Sequence, residues 1–423
     1  MLLRIDPDAV RRLAARLPRG SAAISATNGK TTTAAMVAAI LERGGARLVH
    51  NRAGANMAGG VAASLLDGCG DLGLFEVDEM WLDGVVRELR PRALLLGNLL
   101  RDQLDRYGEL DAIADRWAAL AASGAARRMV LNADDPTVAD LARLAPAGGE
   151  PPILFGVEDD GVALAVLQHA SDATHCRRCG APYVYEAHYL GHLGRYRCES
   201  CGARRPEPHV VARDVRLDGI RGADFRLTLP GAAGPLPIRL ELPGLYNVYN
   251  ALGAAALATA LGASPADIAA GLQAVRPAFG RAERIRLAGR DVAILLVKNP
   301  AGANEVLRTL ALEDGEHDVL AVLNDRIADG RDVSWIWDAD VELLASHVRR
   351  VVCSGTRAPE MAVRMKYAGV PSERIVVEER IDRALDDAAE HADGPLYALP
   401  TYTAMLELRA LLVARGAAEG SFA

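Results

Sequence analysis

The run Ser25-Ala26-Thr27-Asn28-Gly29-Lys30-Thr31-Thr32-Thr33 constrains this chain more than any other stretch. Before it stands Ala22-Ala23-Ile24, apolar enough to end a buried strand. After it comes Ala34-Ala35-Met36-Val37-Ala38-Ala39-Ile40-Leu41, rich in strong helix formers. Strand, tight turn and helix are the context that makes Gly-Lys-Thr a phosphate cradle. Backbone N–H groups at the helix start would face the phosphates, and the helix dipole favours negative charge there. Lys30 adds a point charge, and the Thr31 hydroxyl a ligand for Mg²⁺. The first glycine of the usual eight-residue pattern would fall at Ile24, so an ordinary strand-to-helix turn stays open as the other reading.

With 423 residues the chain has length for two or three domains with sizeable cores. Half of it is hydrophobic and 24% charged, as in soluble globular proteins. A net charge of −7 gives no general basic footprint for nucleic acid. Lysine occurs only at Lys30, Lys298 and Lys366, which makes each one worth inspecting. No apolar run reaches the roughly 18–20 residues of a membrane span. Met1-Leu2-Leu3-Arg4-Ile5-Asp6-Pro7 lacks the apolar core of a signal peptide, so the expected compartment is the cytoplasm. Four of the six cysteines fall in two tight pairs, which in a cytosolic protein favours metal over disulfides.

Residues 1–20 carry one amphipathic helical pattern (Val10, Leu13, Ala14, Leu17) closed by Pro18 and Gly20. Apolar strand-like runs at 22–25, 72–77, 93–96, 128–131 and 153–155 then alternate with helical patterns at 32–43, 57–66, 110–122 and 136–144. This alternation predicts βαβ units and a largely parallel sheet covered on both faces. The glycine-bearing loop after an early strand then lies at the carboxyl edge, where such sheets bind ligands. Residues 172–206, rich in Cys, Arg, Tyr and His, break the pattern. Segments 210–217, 224–229 and 236–242 read as β-hairpin material, helices are expected at 247–261 and 265–274, and 277–280 reads as a linker. A second alternating α/β block follows. The expected organisation is an N-terminal helix (1–20), a central ATP-binding domain (21–280) with an insert at 172–206, and a doubly wound α/β domain (284–423).

Cys176-x-x-Cys179 and Cys198-x-x-Cys201 are separated by eighteen residues, and each pair is followed by glycine (Gly180, Gly202), as in a zinc ribbon. Four thiolates at this spacing suit a closed, structural Zn²⁺ site that folds an insert lacking its own core. Two disulfides or a redox pair are the other readings. Leu74-Phe75-Glu76-Val77-Asp78-Glu79 sets three carboxylates at a strand end, where a P-loop ATPase needs an acid for Mg²⁺. A solvated acidic strand end is the plain alternative. Asn98-Leu99-Leu100-Arg101-Asp102-Gln103-Leu104-Asp105 also follows an apolar strand and by itself reads as a charged helix start. Asn132-Ala133-Asp134-Asp135-Pro136 resembles an N-capped helix start whose carboxylates would equally suit a ribose. Lys298-Asn299-Pro300 and the stretch from Asn324 to Asp332 lie at strand ends of the second block. Such loops from two domains, facing one nucleotide, describe a two-domain ATP-dependent ligase.

These residues resemble the Mur ligase superfamily over nearly the whole chain. Thr27-Asn28-Gly29-Lys30-Thr31-Thr32 is similar to its phosphate loop, with Ala26 in place of the first glycine. Asn132 to Pro136 and Tyr246-Asn247-Val248-Tyr249-Asn250 look like its nucleotide-contacting segments, and Gly280-Arg281-Ala282-Glu283-Arg284 like its arginine-bearing linker. Glu76 stands where its magnesium-binding glutamate does. Four departures narrow the branch. Twenty residues stand where amino-acid-adding members carry a whole N-terminal domain, and a zinc ribbon interrupts the middle domain. Gln103 replaces a usual metal-binding His, leaving a second magnesium open, and the middle domain has no lysine besides Lys30 for carbamylation. With Asp329-Gly330-Arg331-Asp332-Val333-Ser334-Trp335-Ile336-Trp337-Asp338 and Pro400-Thr401-Tyr402-Thr403-Ala404-Met405, these features look like the MurT family. Its members are synthetase subunits of lipid II isoglutaminyl synthase.

What the resemblance implies is amidation of the D-glutamate α-carboxylate of the lipid II stem peptide to D-isoglutamine, through an acyl phosphate. The ammonia would come from a GatD-type glutamine amidotransferase partner. The implied ATP site is Thr27, Asn28, Gly29, Lys30, Thr31, Thr32, Asn132, Asp134, Asn247 and Arg281, with Mg²⁺ on Thr31 and Glu76. Lys30 and Glu76 would act in catalysis, and Asp332 would complete the partner's Cys–His pair. By sequence alone Asp332 has no more claim to that role than Asp325, Asp329 or Asp338. Cys69 and Cys353 sit in no glutaminase motif, so a partner or free ammonia is required. The membrane-embedded substrate would be met in a transient surface encounter.

Two other functions fit parts of the sequence. A Mur or folylpolyglutamate-type amino-acid ligase would need an amino-acid site and normally the carbamylated lysine. A zinc-ribbon nucleic-acid-binding ATPase is suggested by Arg177, Arg178, Arg195, Arg197, Arg204 and Arg205 interleaved with Tyr183, Tyr185, Tyr189 and Tyr196. The acidic chain and the ligase layout count against it, so no nucleic-acid partner is expected.

Overall fold

The computed structural model describes residues 2–51, 55–101, 110–169, 171–276, 281–287 and 289–418. Its first sheet takes β1 (Ser21–Ser25), β2 (Leu48–His50), β3 (Leu72–Glu76), β4 (Ala93–Leu96), β5 (Arg128–Asn132) and β6 (Ile153–Val157). The insert contributes a separate hairpin, β7 (Val184–Leu190) and β8 (Leu193–Arg197). The chain then rejoins the first sheet as β9 (Val210–Asp218), β10 (Gly222–Thr228) and β11 (Leu236–Leu240). The strand order is β11-β10-β9-β6-β5-β4-β1-β3-β2. Pairing is parallel from β2 across to β9 and antiparallel only at β9-β10-β11. The expected hairpins therefore prolong the parallel sheet instead of forming a layer of their own.

Both faces of this sheet are apolar, because successive strand residues point to opposite sides. Ile24, Leu74 and Leu95 face one layer; Ala23, Phe75, Leu94 and Leu96 face the other. The helices Lys30–Arg43, Leu245–Ala260 and Pro265–Ala274 cover the first face. Helices Ala58–Asp67, Leu82–Leu89 and Leu110–Ser123 cover the second. The N-terminal pattern forms two short helices, Leu2–Ile5 and Ala9–Ala14, since Pro7 interrupts the ladder between them. Ala9, Val10 and Leu13 pack into the second layer. The expected helix at 136–144 tightens after Pro136–Ala139 into a 3-10 turn, Asp140–Leu144.

The second sheet holds β12 (Arg281–Leu287), β13 (Arg290–Leu295), β14 (His317–Val322), β15 (Val348–Ser354), β16 (Ile375–Val377) and β17 (Leu396–Pro400). Its order is β12-β13-β17-β14-β15-β16, parallel except for β12. Apolar layers again cover both faces. β12, β17 and the helix Tyr402–Ala414 add to the elements expected from the sequence. The linker reading at 277–280 and the Gln103 substitution lie outside the described residues. No helix among the described residues is long and apolar enough to cross a membrane.

Candidate functional site

The loop after β1 is held open by its neighbours. Gly29 has φ +89° and caps the helix that Lys30 begins. Thr27 N–H donates to the Asn98 carbonyl (3.0 Å), and the Thr27 hydroxyl oxygen accepts from Leu100 N–H (3.0 Å). Asn98 holds Asn28 at both ends, accepting from its N–H (2.9 Å) and donating to its carbonyl (3.1 Å). The segment after β4 thus straps the loop from one side. Ala26 is accommodated because Gly97 lies opposite: a methyl group at Gly97 would stand 3.0 Å from the Ala26 Cβ. The extra Cβ at position 26 is absorbed by the next strand end.

Lys30 donates to Glu79 Oε2 (2.8 Å) and to the carbonyls of Ala26 and Thr27, with its side chain 12% exposed. Glu79, not singled out in the sequence, is therefore the partner of the loop lysine. Glu76 ends β3 and is buried; the β1–β3 register sets it beside Ile24, level with the start of the loop. Asn51 pins its backbone, accepting from Glu76 N–H (3.0 Å) and donating to its carbonyl (2.8 Å). Asp78 is also buried and accepts from Met80 N–H (3.1 Å). Thr31 and Thr32 are half-buried on the first helical turn.

The Tyr246–Asn250 stretch comes to the same place. Thr33 donates to Asn250 Oδ1 (3.3 Å), Asn250 donates to Asn247 Oδ1 (3.0 Å), and Asn247 donates to the Pro243 carbonyl (2.7 Å). From the second sheet, Asn299 reaches Asn28 in a reciprocal amide pair of 2.9 and 3.1 Å while capping the helix Pro300–Leu310. Nearby, Arg101 pairs with Asp172 and with Asp338 (3.0 Å), bridging the two sheets' units and the start of the insert.

The Asn132–Pro136 turn is closed within the protein. Asn132 Oδ1 accepts from Asp134 N–H (3.0 Å). Asp134 is fully buried and accepts from Arg205 Nε (2.5 Å), the Tyr249 hydroxyl (2.6 Å) and Val157 N–H (2.8 Å). Burial raises its carboxyl above the usual range against the opposing pull of Arg205. Asp135 caps the short helix and accepts from Leu99 N–H (2.9 Å), tying this turn to the strap under the phosphate loop. The side chain of Arg281 lies outside the described residues; its backbone starts β12.

In the insert, the Cys176 and Cys201 sulfurs are 3.5 Å apart and those of Cys179 and Cys198 3.4 Å, with all four within 4.8 Å of one another. Bonded sulfurs would stand at about 2.05 Å, whereas four thiolates around Zn²⁺ at about 2.3 Å stand near 3.8 Å. The donor set therefore fits a tetrahedral zinc. Gly180 (φ +77°) and Gly202 (φ +74°) make the two tight turns. The arginines of the insert are largely engaged. Arg177 pairs with Asp111 and Asp115, Arg178 with Asp140, Arg195 with Asp160, and Arg205 with Asp134.

Four acids follow β14, and their surroundings separate them. Asp325 accepts from Thr356 and Arg357 (2.8 Å each), Asp329 from Thr403 N–H (2.7 Å), and Asp338 from Arg101. Asp332 alone of the four is exposed; it accepts from Ser334 N–H (2.9 Å), and Ser334 holds its carboxyl below the usual range. Beside them, a cavity of about 670 Å³ opens between Asn324, Thr356, Glu379 and Glu407. Cys353 is buried in β15, its thiol pushed up to about 12 by burial, while Cys69 is exposed.

Residues 24–193 match the Mur ligase middle domain family, and residues 296–405 the MurT ligase C-terminal family. The chain is 30% identical over 419 residues to the lipid II isoglutaminyl synthase (glutamine-hydrolyzing) subunit MurT of Streptococcus pneumoniae, spanning 98% of this chain and 91% of that one. The subunit of the same name from Staphylococcus aureus is 30% identical over 406 residues, spanning 95% and 89%. Among solved structures, a pseudomurein peptide ligase type C from Methanothermus fervidus superposes with a TM-score of 0.73 at 23% identity, covering 96% of this chain and 80% of that one. A Mycobacterium tuberculosis folylpolyglutamate synthase superposes with a TM-score of 0.62 at 16% identity, covering 99% of each; at such identities the likeness is one of fold. With two family matches in tandem and 30% identity across nearly the full length of its relatives, the chain belongs to the MurT family of Mur-type ligases.

Proposed function

We propose that this chain is the ligase subunit of a lipid II isoglutaminyl synthase, converting the D-glutamate α-carboxylate of the stem peptide to the amide at the expense of ATP. The observation that carries this reading is the phosphate loop bound by Asn98, Asn250 and Asn299 in a chain that matches MurT subunits along almost its whole length. A carboxylate oxygen attacks the γ-phosphorus and ADP leaves; ammonia then attacks the acyl carbon, inorganic phosphate departs, and the nitrogen loses a proton. Carboxylate and triphosphate repel each other, so the loop amides and Lys30 must stabilise the charge. Glu79 keeps the Lys30 ammonium at the mouth of the loop, where the phosphates compete for it. Thr31 and Glu76 would hold Mg²⁺, which would supply positive charge to offset the repulsion between carboxylate and triphosphate. Thr27, Asn28, Gly29, Thr32 and Asn247 shape the phosphate site. Asn132 and Asp134, whose side chains are occupied inside the protein, hold the β5 turn in position. Zinc on Cys176, Cys179, Cys198 and Cys201 would fold the insert.

The amide nitrogen comes from a GatD-type glutaminase. Neither the buried Cys353 nor the exposed Cys69, which stands in no glutaminase motif, offers a glutaminase nucleophile, and water would hydrolyse the acyl phosphate unless ammonia is delivered into a closed site. Asp332, ionised and exposed, would orient the imidazole of the partner's Cys–His pair. The pair works at the cytoplasmic side and meets lipid II transiently.

The test is to purify the chain with a GatD-type glutaminase, treat lipid II with ATP and glutamine, and follow the carboxyl-to-amide mass change. Lys30→Ala should abolish it. Asp332→Ala should remove glutamine-dependent amidation while ammonium-dependent amidation continues. No mass change with the intact pair sinks the reading, and equal loss of both activities rejects the role of Asp332.

A further inference from the structure

The insert carries a buried imidazole that the reaction described above leaves unused. His192 sits in the two-residue turn between β7 and β8, where Leu190 pairs with Leu193 and Gly191 (φ +53°) takes the left-handed first position. Three bonds pin this turn. Gly191 N–H donates to Gln168 Oε1 (2.7 Å), the Tyr185 hydroxyl donates to the His192 carbonyl (2.8 Å), and Gly194 N–H donates to the Asp134 carbonyl (2.9 Å). The hairpin tip is thereby seated on the turn after β5, and the His192 side chain has no exposed surface.

The two ring nitrogens meet two acidic residues. Nε2 lies 3.3 Å from Asp135 Oδ2, on a side chain equally without exposure, and Nδ1 accepts from Asp172 N–H (3.4 Å). A neutral ring that accepts at Nδ1 carries its proton on Nε2, facing Asp135. Asp135 and Asp172 are the residues that clamp the strap beside the phosphate loop. Leu99 N–H donates to that same Asp135 Oδ2 (2.9 Å), Leu100 N–H to the Thr27 hydroxyl oxygen (3.0 Å) and Arg101 N–H to Asp172 Oδ2 (2.9 Å). Three consecutive amides are thus fixed, and the middle one is the bond to the loop. Asn98, one residue earlier, holds Asn28 at both ends. The Asp172 side chain is only 7% exposed, so neither carboxylate can exchange a lost protein partner for water without cost.

We propose that His192 is a positioning residue of the ATP site. From the insert it locks Asp135 and Asp172 onto the strap 98–101, and so sets Thr27 and Asn28 for the phosphates. It acts through Asp135 and touches no reacting atom. This inference rests on the reading of Thr27–Thr32 as the phosphate site, and it gives the insert a part in nucleotide binding.

The experiment measures binding of the β,γ-methylene analogue of ATP, with Mg²⁺, to the full chain by calorimetry. His192→Ala should weaken Kd by about tenfold, the fold-change of one hydrogen bond to a charged group. His192→Asn, whose amide stops at the level of Nδ1, should weaken it as much, while His192→Gln, which reaches the level of Nε2, should recover most of the affinity. The Asn and Gln pair carries the test if the alanine variant fails to fold. Arg195→Ala, in the same hairpin and paired with Asp160, should leave Kd unchanged. With ammonium as nitrogen source, the KM for ATP should rise in His192→Asn and the KM for ammonium should hold. Asp135→Asn should also weaken Kd, and combined with His192→Asn it should cost about tenfold and not the roughly hundredfold of independent sites. A lowered melting temperature with unchanged Kd overturns the proposal, as do equal affinities of the Asn and Gln variants or independent effects of the two sites. Lys30→Ala separates the two readings. If it abolishes binding while His192→Asn binds like the parent, the role of His192 alone fails; if it binds like the parent, or the parent itself does not bind, the phosphate-site reading fails and this one with it.

Discussion

Gly29→Ala probes the phosphate loop through two separable penalties. At φ +89° an alanine pays about 1–2 kcal/mol for the left-handed backbone. Its Cβ would also stand 2.0 Å from Asn250 Oδ1 and 2.9 Å from its Cγ, where carbon contacts settle at about 3.5–4 Å. Asn250 must therefore swing away, losing its bonds to Asn247 and Thr33, each contributing about 1 kcal/mol. The sum is about 3–4 kcal/mol, or a fall of about 6–16 °C in the melting of the first unit. Thermal and urea melts of Gly29→Ala, Asn250→Ala and the double variant give the cycle. In the double variant the clash is gone and the bonds are lost only once, so its cost should fall about 2 kcal/mol short of the sum of the single variants. ATP affinity, read by calorimetry, should drop in all three. A Gly29→Ala chain that melts within about 1 °C of the parent, or strictly additive variants, would refute the close approach of Asn250.

Two further outcomes follow from buried groups. Glu305, on the helix Pro300–Leu310, is 1% exposed, and burial pushes its carboxyl up to about 7 despite Arg308 at 4.0 Å. The folded chain holds this proton more tightly than the unfolded one. Its contribution is therefore most favourable below about pH 4.3 and declines as pH rises to about 7, a loss of roughly 3 kcal/mol. Glu305→Gln should flatten that part of the stability–pH curve measured by urea melts; an unchanged slope would tell against the burial account. Elemental analysis should find about one zinc per chain. Chelation should expose the insert to proteolysis at 172–206 while sparing the second sheet, and a zinc-free protein with an intact insert would exclude the metal.

What the sequence determined by itself was local. Strand, loop and helix around Thr27–Thr33 are legible because an apolar run, a glycine and an alanine-rich run each limit backbone geometry over a few residues. The paired cysteines are legible because ligand spacing is a short-range constraint, and the alternation of strands and helices because periodicity marks buried faces. Which carboxylate meets Lys30 was not legible. Glu76, Asp78 and Glu79 carry the same chemistry within four positions, and only the twist of the chain after β3 brings Glu79 to the ammonium. Asn28 and Asn299 stand 271 residues apart, so their pairing depends on how the two sheets dock. Asp134 offered a ribose contact on paper; the return of β9 beside β6 and the course of Arg205 enclose it instead. Of four acids after β14, sequence weighs all alike, and the neighbours that claim Asp325, Asp329 and Asp338 leave Asp332 at the surface. Side-chain type and spacing act over one turn or one strand, while burial and partner choice are set by segments distant in the chain.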